Sequence, residues 1–385
     1  MWGIMRNRVM VWCVAALVGC CTVGLVAPLS AVAAEKVSVA IISYSPYGPW
    51  YIVKQRNLAK DIDLDIKIIE GIPEKNAAIA SGQLQCMNNT VDTIMLARAG
   101  GIPLKLVLHS SASYGLDQVI VTKDIKTVRD FKGKTFGADY GFVNHLWMLL
   151  TLRREGMGFK DVTLKAMIPQ DSAAAFASGG IDIDVNYDPF AATSLKRKDS
   201  HVFKTSLTDR TWERGLLADA IACNDKWLAE KPAVAKELFR AWFEAVDWWK
   251  ENPEAGNEII AKGLGWPVSD VKLNQHGAIL LNLKQNMGAL GLPGGKVLCE
   301  DLPEGVPQAP KNSQGWGLLF GGKDCVAGYA GPTWDLFNEL YREARVTTKR
   351  SKSASGIDTS IIAKLAKEGY AEKYKSNKWI GRLGL

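Results

Sequence analysis

The 385-residue chain has few of the residues and motifs on which catalytic and metal sites are built. It contains four histidines, His109, His145, His201 and His276, and none stands at a metal-ligand spacing from another. The motifs GxSxG, HExxH and GxGxxG and the phosphate-binding P-loop are all missing. These absences argue against an enzyme. They predict no catalytic residue, no metal site and no cofactor.

Runs of lysine or arginine interleaved with aromatic residues are also missing. The formal net charge of +7 therefore does not indicate nucleic-acid binding. After residue 34 the chain has no apolar run long enough to cross a bilayer, so we expect a soluble body.

The first 34 residues look like an export signal. Arg6 and Arg8 precede a stretch without charge, residues 9–34, and Ala31-Val32-Ala33 has the small-x-small pattern of a cleavage site. We therefore predict a signal peptide over residues 1–34 and a periplasmic protein. Two alternatives stay open. The tetrapeptide at 17–20 (LVGC) resembles a lipobox, which would make Cys20 a lipid anchor, and the apolar stretch is long enough to span a bilayer uncleaved.

Four cysteines follow this leader, an even number that permits disulfides in an exported protein. Cys299 and Cys325 flank a Pro/Gly-rich stretch and form the preferred pair. Closing that loop would stabilise the fold by about 3.5 kcal/mol in the chain-entropy model. Cys86 and Cys223 either form a second disulfide or remain two buried thiols.

An aromatic turn between a strand and a helix is the most informative local pattern. Residues 37–42 (VSVAII) are apolar and β-branched, which predicts a buried strand. Residues 43–48 (SYSPYG) follow as a turn, and Pro49 suits the first position of a helix. Such a loop brings free backbone N–H groups and aromatic faces together, an arrangement that suits a small polar ligand.

Further strands and helices alternate along the chain. Strands are predicted at 64–69, 104–109 and 119–122, with helices at 74–81 and 91–99. The alternation predicts a parallel sheet with ligands at the carboxyl ends of its strands. The pattern restarts near residue 128 and ends at 187–189 (YDP), which indicates a second, smaller α/β lobe inserted in the first.

Five motifs together resemble one family of exported proteins. They are 47–50 (YGPW), 101–105 (GIPLK), 130–137 (DFKGKTFG), 179–182 (GGID) with 187–189 (YDP), and 225–232 (DKWLAEKP) before a long helix. With these motifs in this order, the chain resembles the periplasmic solute-binding proteins of ABC importers in the nitrate, sulfonate, taurine and thiamine-pyrimidine-precursor group.

The resemblance implies a periplasmic-binding-protein type II fold, an α/β architecture of two lobes with a ligand cleft between them. We expect lobe 1 to comprise 35–123 and 215–385, and lobe 2 to comprise 124–214. Lobe 1 would carry a Pro/Gly-rich insertion at 291–331 and a C-terminal extension. The partners implied are a small-molecule ligand, a membrane permease and an ATPase, with the protein itself a monomer.

The ligand contacts are expected from the polar and aromatic residues at predicted strand ends. They are Ser43, Tyr44, Tyr47, Trp50, Asn88, Asn89, Thr90, Tyr140, Asn144, Tyr187 and Asp188. This set holds one carboxylate and no lysine or arginine, and Asp188 would repel an anion in a closed cleft. The sequence therefore favours a nitrogen-containing solute such as an amine, guanidinium, amide or pyrimidine. A nitrate-, sulfonate- or taurine-type anion is the alternative, as is a ligand-sensing role beside a membrane signalling partner.

Overall fold

The computed structural model describes residues 34–311 and 313–382. Apart from Ala34, the predicted signal peptide lies outside these residues, and so does the alternative lipid anchor at Cys20. Within the described residues, no helix is both long and apolar enough to cross a membrane.

Eleven strands form two sheets in the described part of the chain. In chain order they are β1 (Glu35–Ile41), β2 (Ile62–Ile68), β3 (Cys86–Thr90), β4 (Leu104–Ser113), β5 (Asp117–Thr122), β6 (Thr135–Ala138), β7 (Thr163–Ala166), β8 (Ile183–Tyr187), β9 (Ser200–Thr205), β10 (Ala218–Asn224) and β11 (Ala278–Leu280).

The α-helices pack around these sheets. They are α1 (Pro49–Gln55), α2 (Ile72–Ala80), α3 (Val91–Ala99), α4 (Val143–Arg154), α5 (Pro169–Ala177), α6 (Ala191–Ser194), α7 (Asp225–Glu230), α8 (Pro232–Glu251), α9 (Pro253–Leu264), α10 (Val268–His276), α11 (Leu283–Ala289), α12 (Ala330–Glu343), α13 (Ser353–Gly356), α14 (Ser360–Lys367) and α15 (Tyr370–Lys373).

The first sheet is mixed, with the strand order β11-β4-β10-β3-β1-β2. Strand β1 runs parallel to β2 and β3, as the βα alternation predicts. The prediction of a wholly parallel sheet is wrong, because β10 lies between β3 and β4 and runs antiparallel to both. This strand returns from the second sheet and so enters the first from the opposite direction.

The second sheet has the order β7-β6-β8-β5-β9. Strand β5 pairs antiparallel with β8 and β9, so it belongs to this sheet. The expected boundary after residue 123 would place β5 in lobe 1, whereas its pairing places it in the second sheet. The chain crosses between the sheets at residues 114–116 and again at 206–217.

Aromatic and aliphatic residues at helical spacing hold α1 and α8 against the first sheet. Trp242 and Trp249, two turns apart on α8, are both fully buried. The indole rings of Trp242 and Trp50 lie 4.6 Å apart between their centroids, which joins α8 to α1. The tryptophans of α8 thus pack helices, as their spacing predicts.

Two disulfides connect the four cysteines of the described chain. Cys299 pairs with Cys325, as predicted, and the bond closes most of the 291–331 insertion. Cys86 also pairs with Cys223, because β3 and β10 place them directly opposite each other. The insertion packs near the crossing at 206–217: Trp316 is buried and donates to the Asp209 carbonyl at 2.6 Å.

Candidate functional site

A large cavity lies where elements of the two sheets face each other, and we call it the main cavity. Its volume is about 1320 Å³. Its wall comes from the loop after β1, the first turns of α2 and α5, helix α3, residues 139–142 after β6, the end of β8, helix α10 and residues 346–347. The ends of β1, β3 and β8 all reach it, as the strand-end rule for such sheets leads one to expect.

A smaller space adjoins it, which we call the inner chamber. Its volume is about 60 Å³. The main cavity and the inner chamber share five wall residues, listed here: Ile42, Ser43, Tyr44, Phe142 and Tyr187. Tyr47, Asp117 and Asp219 line the inner chamber but not the main cavity. A ligand in the main cavity can therefore extend a group into the chamber.

The loop after β1 is held in place by polar contacts. The Ser43 backbone N–H donates to the Glu70 carboxylate at 3.0 Å. The Tyr44 and Tyr47 rings meet edge to face with centroids 5.0 Å apart. The Tyr47 hydroxyl donates to Asp219 Oδ1 at 2.8 Å. These contacts fix two aromatic faces at the junction of the main cavity and the inner chamber.

Two carboxylates that the sequence did not single out dominate the inner chamber. Asp219, on β10, also accepts a hydrogen bond from the Ser111 hydroxyl of β4 at 2.5 Å. Burial raises the pKa of Asp219 to about 6, although the bonds from Ser111 and Tyr47 lower it. Burial, together with the charges of Asp219 and Asp188, raises the pKa of Asp117, at the start of β5, to about 7, although a hydrogen bond from Ser113 lowers it.

The main cavity has a cation in its wall that sequence reasoning also missed. Lys75, in the first turn of α2, is completely buried, and its ammonium has no hydrogen-bond partner in the described chain. Burial lowers the pKa of Lys75 to about 8, an effect that the nearby charge of Glu70 opposes. A lysine inside a helical pattern gives no sign in the sequence that it will be buried.

Other polar atoms of the same wall also lack partners in the described residues. Asn89 is 1% exposed, and its Nδ2 donates to nothing. The Oδ1 atoms of Asn76 and Asn274 accept nothing. Buried polar groups are normally hydrogen-bonded to protein or to ordered water, so these atoms are candidates to bind a polar ligand in the main cavity.

Eight of the eleven residues expected in the site line one of the two spaces. The main cavity is lined by Ser43, Tyr44, Asn89, Tyr140, Tyr187 and Asp188, and the inner chamber by Ser43, Tyr44, Tyr47, Thr90 and Tyr187. Tyr140 is 51% exposed and stacks on His145, at 5.5 Å between ring centroids. Asp188 accepts a bond from Gln118 Nε2 at 3.3 Å.

Three expected residues, Trp50, Asn88 and Asn144, line neither space. Trp50 points into the helical core, where its Nε1 donates to Asn88 Oδ1 at 2.7 Å. Asn144 is used internally, since its Nδ2 donates to the Val185 carbonyl at 2.6 Å. Their positions near strand ends suggested a role in the site, but the direction of each side chain depends on tertiary packing.

Comparison with known proteins identifies the family. A family model described as NMT1/THI5 like matches residues 46–256, more than half of the chain. An Escherichia coli (strain K12) protein named as an aliphatic sulfonates-binding protein is 30% identical over 181 residues, covering 45% of this chain and 53% of the relative. The chain thus spans about half the length of this relative. The taurine-binding periplasmic protein of the same organism is 26% identical over 231 residues, with 58% and 71% covered.

Solved structures share the fold. The periplasmic aliphatic sulphonate-binding protein SsuA from Escherichia coli superposes with a TM-score of 0.61 at 17% identity, over 84% of this chain and 92% of that one. The desulfurization enzyme DSZB superposes with a TM-score of 0.52 at 13% identity, over 87% of this chain and 99% of that one. The fold is that of the periplasmic binding proteins, and an enzyme also uses it. On the family match, this chain belongs to the NMT1/THI5-like family.

Proposed function

We propose that this protein is the substrate-binding protein of an ABC importer and that it captures a small organic anion of the sulfonate class. The names of the two relatives describe proteins that bind aliphatic sulfonates and taurine, which supports this class of ligand. One observation carries the choice of ligand: the fully buried, unpaired ammonium of Lys75 in the wall of the main cavity.

Burying an ammonium without a counter-charge is costly, so such a group is normally paired. The main cavity also contains Glu70, Asp139, Asp188 and Asp270, but each of them is partly or fully exposed, where water screens its charge. An anionic ligand would supply the missing partner for Lys75. The unpaired Nδ2 of Asn89 offers a second donor in the same wall.

The starts of two helices add to this anion site. Gly71, Ile72 and Pro73 at the start of α2 line the main cavity, and so do Ile168, Pro169 and Gln170 at the start of α5. The first N–H groups of a helix have no partner within it, and the helix dipole favours negative charge there. A sulfonate with three acceptor oxygens suits such an environment.

The nitrogen-containing solute favoured by the sequence remains the second candidate. That prediction counted no lysine or arginine in the site, whereas Lys75 lies in the wall. The argument that Asp188 would repel an anion is weakened, because this carboxylate accepts a hydrogen bond from Gln118 and is partly exposed. The buried carboxylates Asp117 and Asp219 are the observation that still favours a cationic group.

In the proposed mechanism the ligand enters the space between the two sheets, which then close over it. The crossings at 114–116 and 206–217 would act as the hinge. The closed protein would deliver its ligand from the periplasm to a permease and ATPase, and it would act as a monomer. Cysteine-based catalysis would need a free thiol, but the four described cysteines form two disulfides.

Isothermal titration and thermal unfolding with two sets of solutes test the proposal. One set is ethanesulfonate, propanesulfonate, taurine and nitrate; the other is ethylamine, guanidine, urea and cytosine. We expect sulfonates to stabilise the protein by about 2.7 kcal/mol at a hundredfold excess over the dissociation constant. Stabilisation by the nitrogenous set alone would overturn the sulfonate assignment in favour of the second candidate.

A further inference from the structure

We propose that residues 342–352, which we call the basic segment, dock the protein on a negatively charged membrane surface by binding the headgroups of anionic phospholipids. The inference goes beyond the proposed function, because it assigns a partner to charged side chains that line neither the main cavity nor the inner chamber. Such docking would bring the protein to the surface in which a permease lies.

The basic segment carries almost only positive charge. Five of its exposed side chains are cations, namely Arg342, Arg345, Lys349, Arg350 and Lys352. None of the five forms an ion pair within the described residues. The one carboxylate of the segment, Glu343, is already paired with Arg153 of α4, and so is the neighbouring Glu339. The surface as a whole is therefore positive.

The fold anchors the segment on α12 and leaves its cations in the solvent. Arg345 follows the helix in the left-handed region, at φ 61°, which turns the chain back. The Val346 backbone N–H then donates to the Tyr341 carbonyl at 2.8 Å. Near the other end, the Trp334 Nε1 atom donates to the carbonyl of the buried Ser351 at 3.2 Å. Because the loop is held at both ends, its charged side chains stay together at the surface.

The basic segment also borders the main cavity. Val346 and Thr347 belong to the cavity wall. From the loop after β6, in the other sheet, the Tyr140 hydroxyl donates to the Arg345 carbonyl at 3.4 Å. Tyr140 lines the cavity and is 51% exposed, so the segment lies where the cavity wall reaches the solvent. A membrane bound by the segment would face this edge of the cavity.

The composition of the segment favours a lipid surface over a protein partner. Apart from Thr348, every exposed side chain of the segment is charged, and none is apolar or aromatic. Protein interfaces have apolar cores with aromatic anchors and are depleted in lysine. Anionic headgroups attract lysine and arginine by charge alone, and each cation near the surface strengthens binding about fivefold.

A second exposed group of cations provides a matched control. Lys126, Arg129 and Lys132 are exposed and lie within seven residues, like the last cations of the basic segment. They stand beside the exposed carboxylates Asp124 and Asp130, which reduce the local charge. Neutralising these three cations changes the net charge of the protein as much as neutralising three in the segment. The pair of variants therefore separates the segment from the overall charge.

The test is sedimentation of the protein with vesicles. One set contains phosphatidylglycerol and phosphatidylcholine in equal parts, and the other contains phosphatidylcholine alone. At low salt we expect binding to the anionic vesicles to be about 100-fold stronger or more, since several cations contribute. Salt at about 0.5 M should abolish this preference, because it screens exposed charges.

Two triple variants locate the binding surface. They are Lys349→Gln/Arg350→Gln/Lys352→Gln, the segment variant, and Lys126→Gln/Arg129→Gln/Lys132→Gln, the control variant. We expect the segment variant to bind anionic vesicles at least about tenfold more weakly than the wild type, and the control variant to bind within about twofold of it. Both variants should keep the wild-type affinity for sulfonates, because none of the six side chains lines either space.

The outcomes are separate from those of the proposed function, since the vesicle assay needs no ligand. The inference is overturned if anionic vesicles bind no better than neutral ones, or if the two variants bind equally. Binding to polyglutamate without binding to vesicles would also overturn it, in favour of an acidic protein partner. A protein that binds anionic vesicles but no sulfonate would support the inference and overturn the proposed function.

Discussion

The main cavity and the inner chamber share part of their walls but offer a ligand opposite charges. In the main cavity the buried charge is the ammonium of Lys75, which has no partner in the described residues; the donor Asn89 Nδ2 and the acceptors Asn76 Oδ1 and Asn274 Oδ1 also lack partners there. In the chamber the buried charges are carboxylates, and Asp219 is held by two hydroxyl donors. The ammonium in the main cavity lacks a counter-charge, whereas the Asp219 carboxylate in the inner chamber is already held in position by hydrogen bonds. This difference would orient an asymmetric ligand.

The supporting elements of the two sites differ as well. Lys75 stands on the first turn of a nine-residue helix, next to the exposed Glu70. Asp219 lies in β10, which is paired on both sides and linked to β3 by the Cys86–Cys223 disulfide. We expect the chamber to be the more rigid of the two, since its strands cannot move independently.

The largest effect is expected from removing the cation of the main cavity. Lys75→Met keeps the apolar stem and deletes the charge, so the affinity for propanesulfonate should fall by about 100-fold, the value of a buried charge-assisted hydrogen bond. Isothermal titration measures this loss. Lys54→Met, an exposed lysine of α1 outside both spaces, is the matched control. Equal affinities of the two variants would exclude Lys75 from the anion site.

A smaller effect is expected from pH, measured with an alkylsulfonate that has no amine. Since burial lowers the pKa of Lys75 to about 8, the free protein loses this positive charge as the pH rises above 8. The sulfonate stays ionised, so its affinity should fall by about fivefold between pH 8 and 9. The Lys75→Met variant should lack this step. A fall of the same size in the variant would assign the step to another group.

The smallest effect is expected on the stability of the free protein. The pKa of Asp117 is raised by folding, so this group favours the folded state fully only at low pH, and its contribution is lost as the pH rises through about 7. Asp117→Asn should therefore raise the free energy of unfolding at pH 8 by about 1 kcal/mol, and by less at pH 5.

Urea denaturation at both pH values measures this gain, with Asp171→Asn, which changes an exposed carboxylate outside both spaces, as the control. A loss of stability at pH 8 would show that the Asp117 carboxylate has a structural role. It would also weaken the contrast between the two sites, because the chamber would then be a structural polar cluster.

Local patterns in the sequence predicted much of the fold. Strand β1, the helix beginning at Pro49, and helix α3 over residues 91–99 lie within a residue or two of their expected positions. Each carries its own signal, a β-branched run, a proline at the first helical position or a regular apolar period. The Cys299–Cys325 pair could be predicted because the two residues are near in the chain.

The site was predicted in part, for a physical reason. Tyr47 and Trp50 stand three residues apart, yet Tyr47 lines the chamber and Trp50 packs against Trp242. Tyr47 ends the turn before α1, whereas Trp50 lies within the helix, so the direction of each side chain depends on how the loop and the helix pack in the fold. The placement of β10 between β3 and β4 was not visible either, and this strand carries Asp219.

By itself the sequence determined the family, the order of strands and helices, and the aromatic loop that starts the site, because these depend on residues close together in the chain. Tertiary structure alone decided the charges of the site. Lys75, Asp117 and Asp219 come from α2, β5 and β10, and only the folded chain brings them to the walls of two adjoining spaces and removes them from water. Burial changes the chemistry of a charged group, and burial is a property of the whole fold.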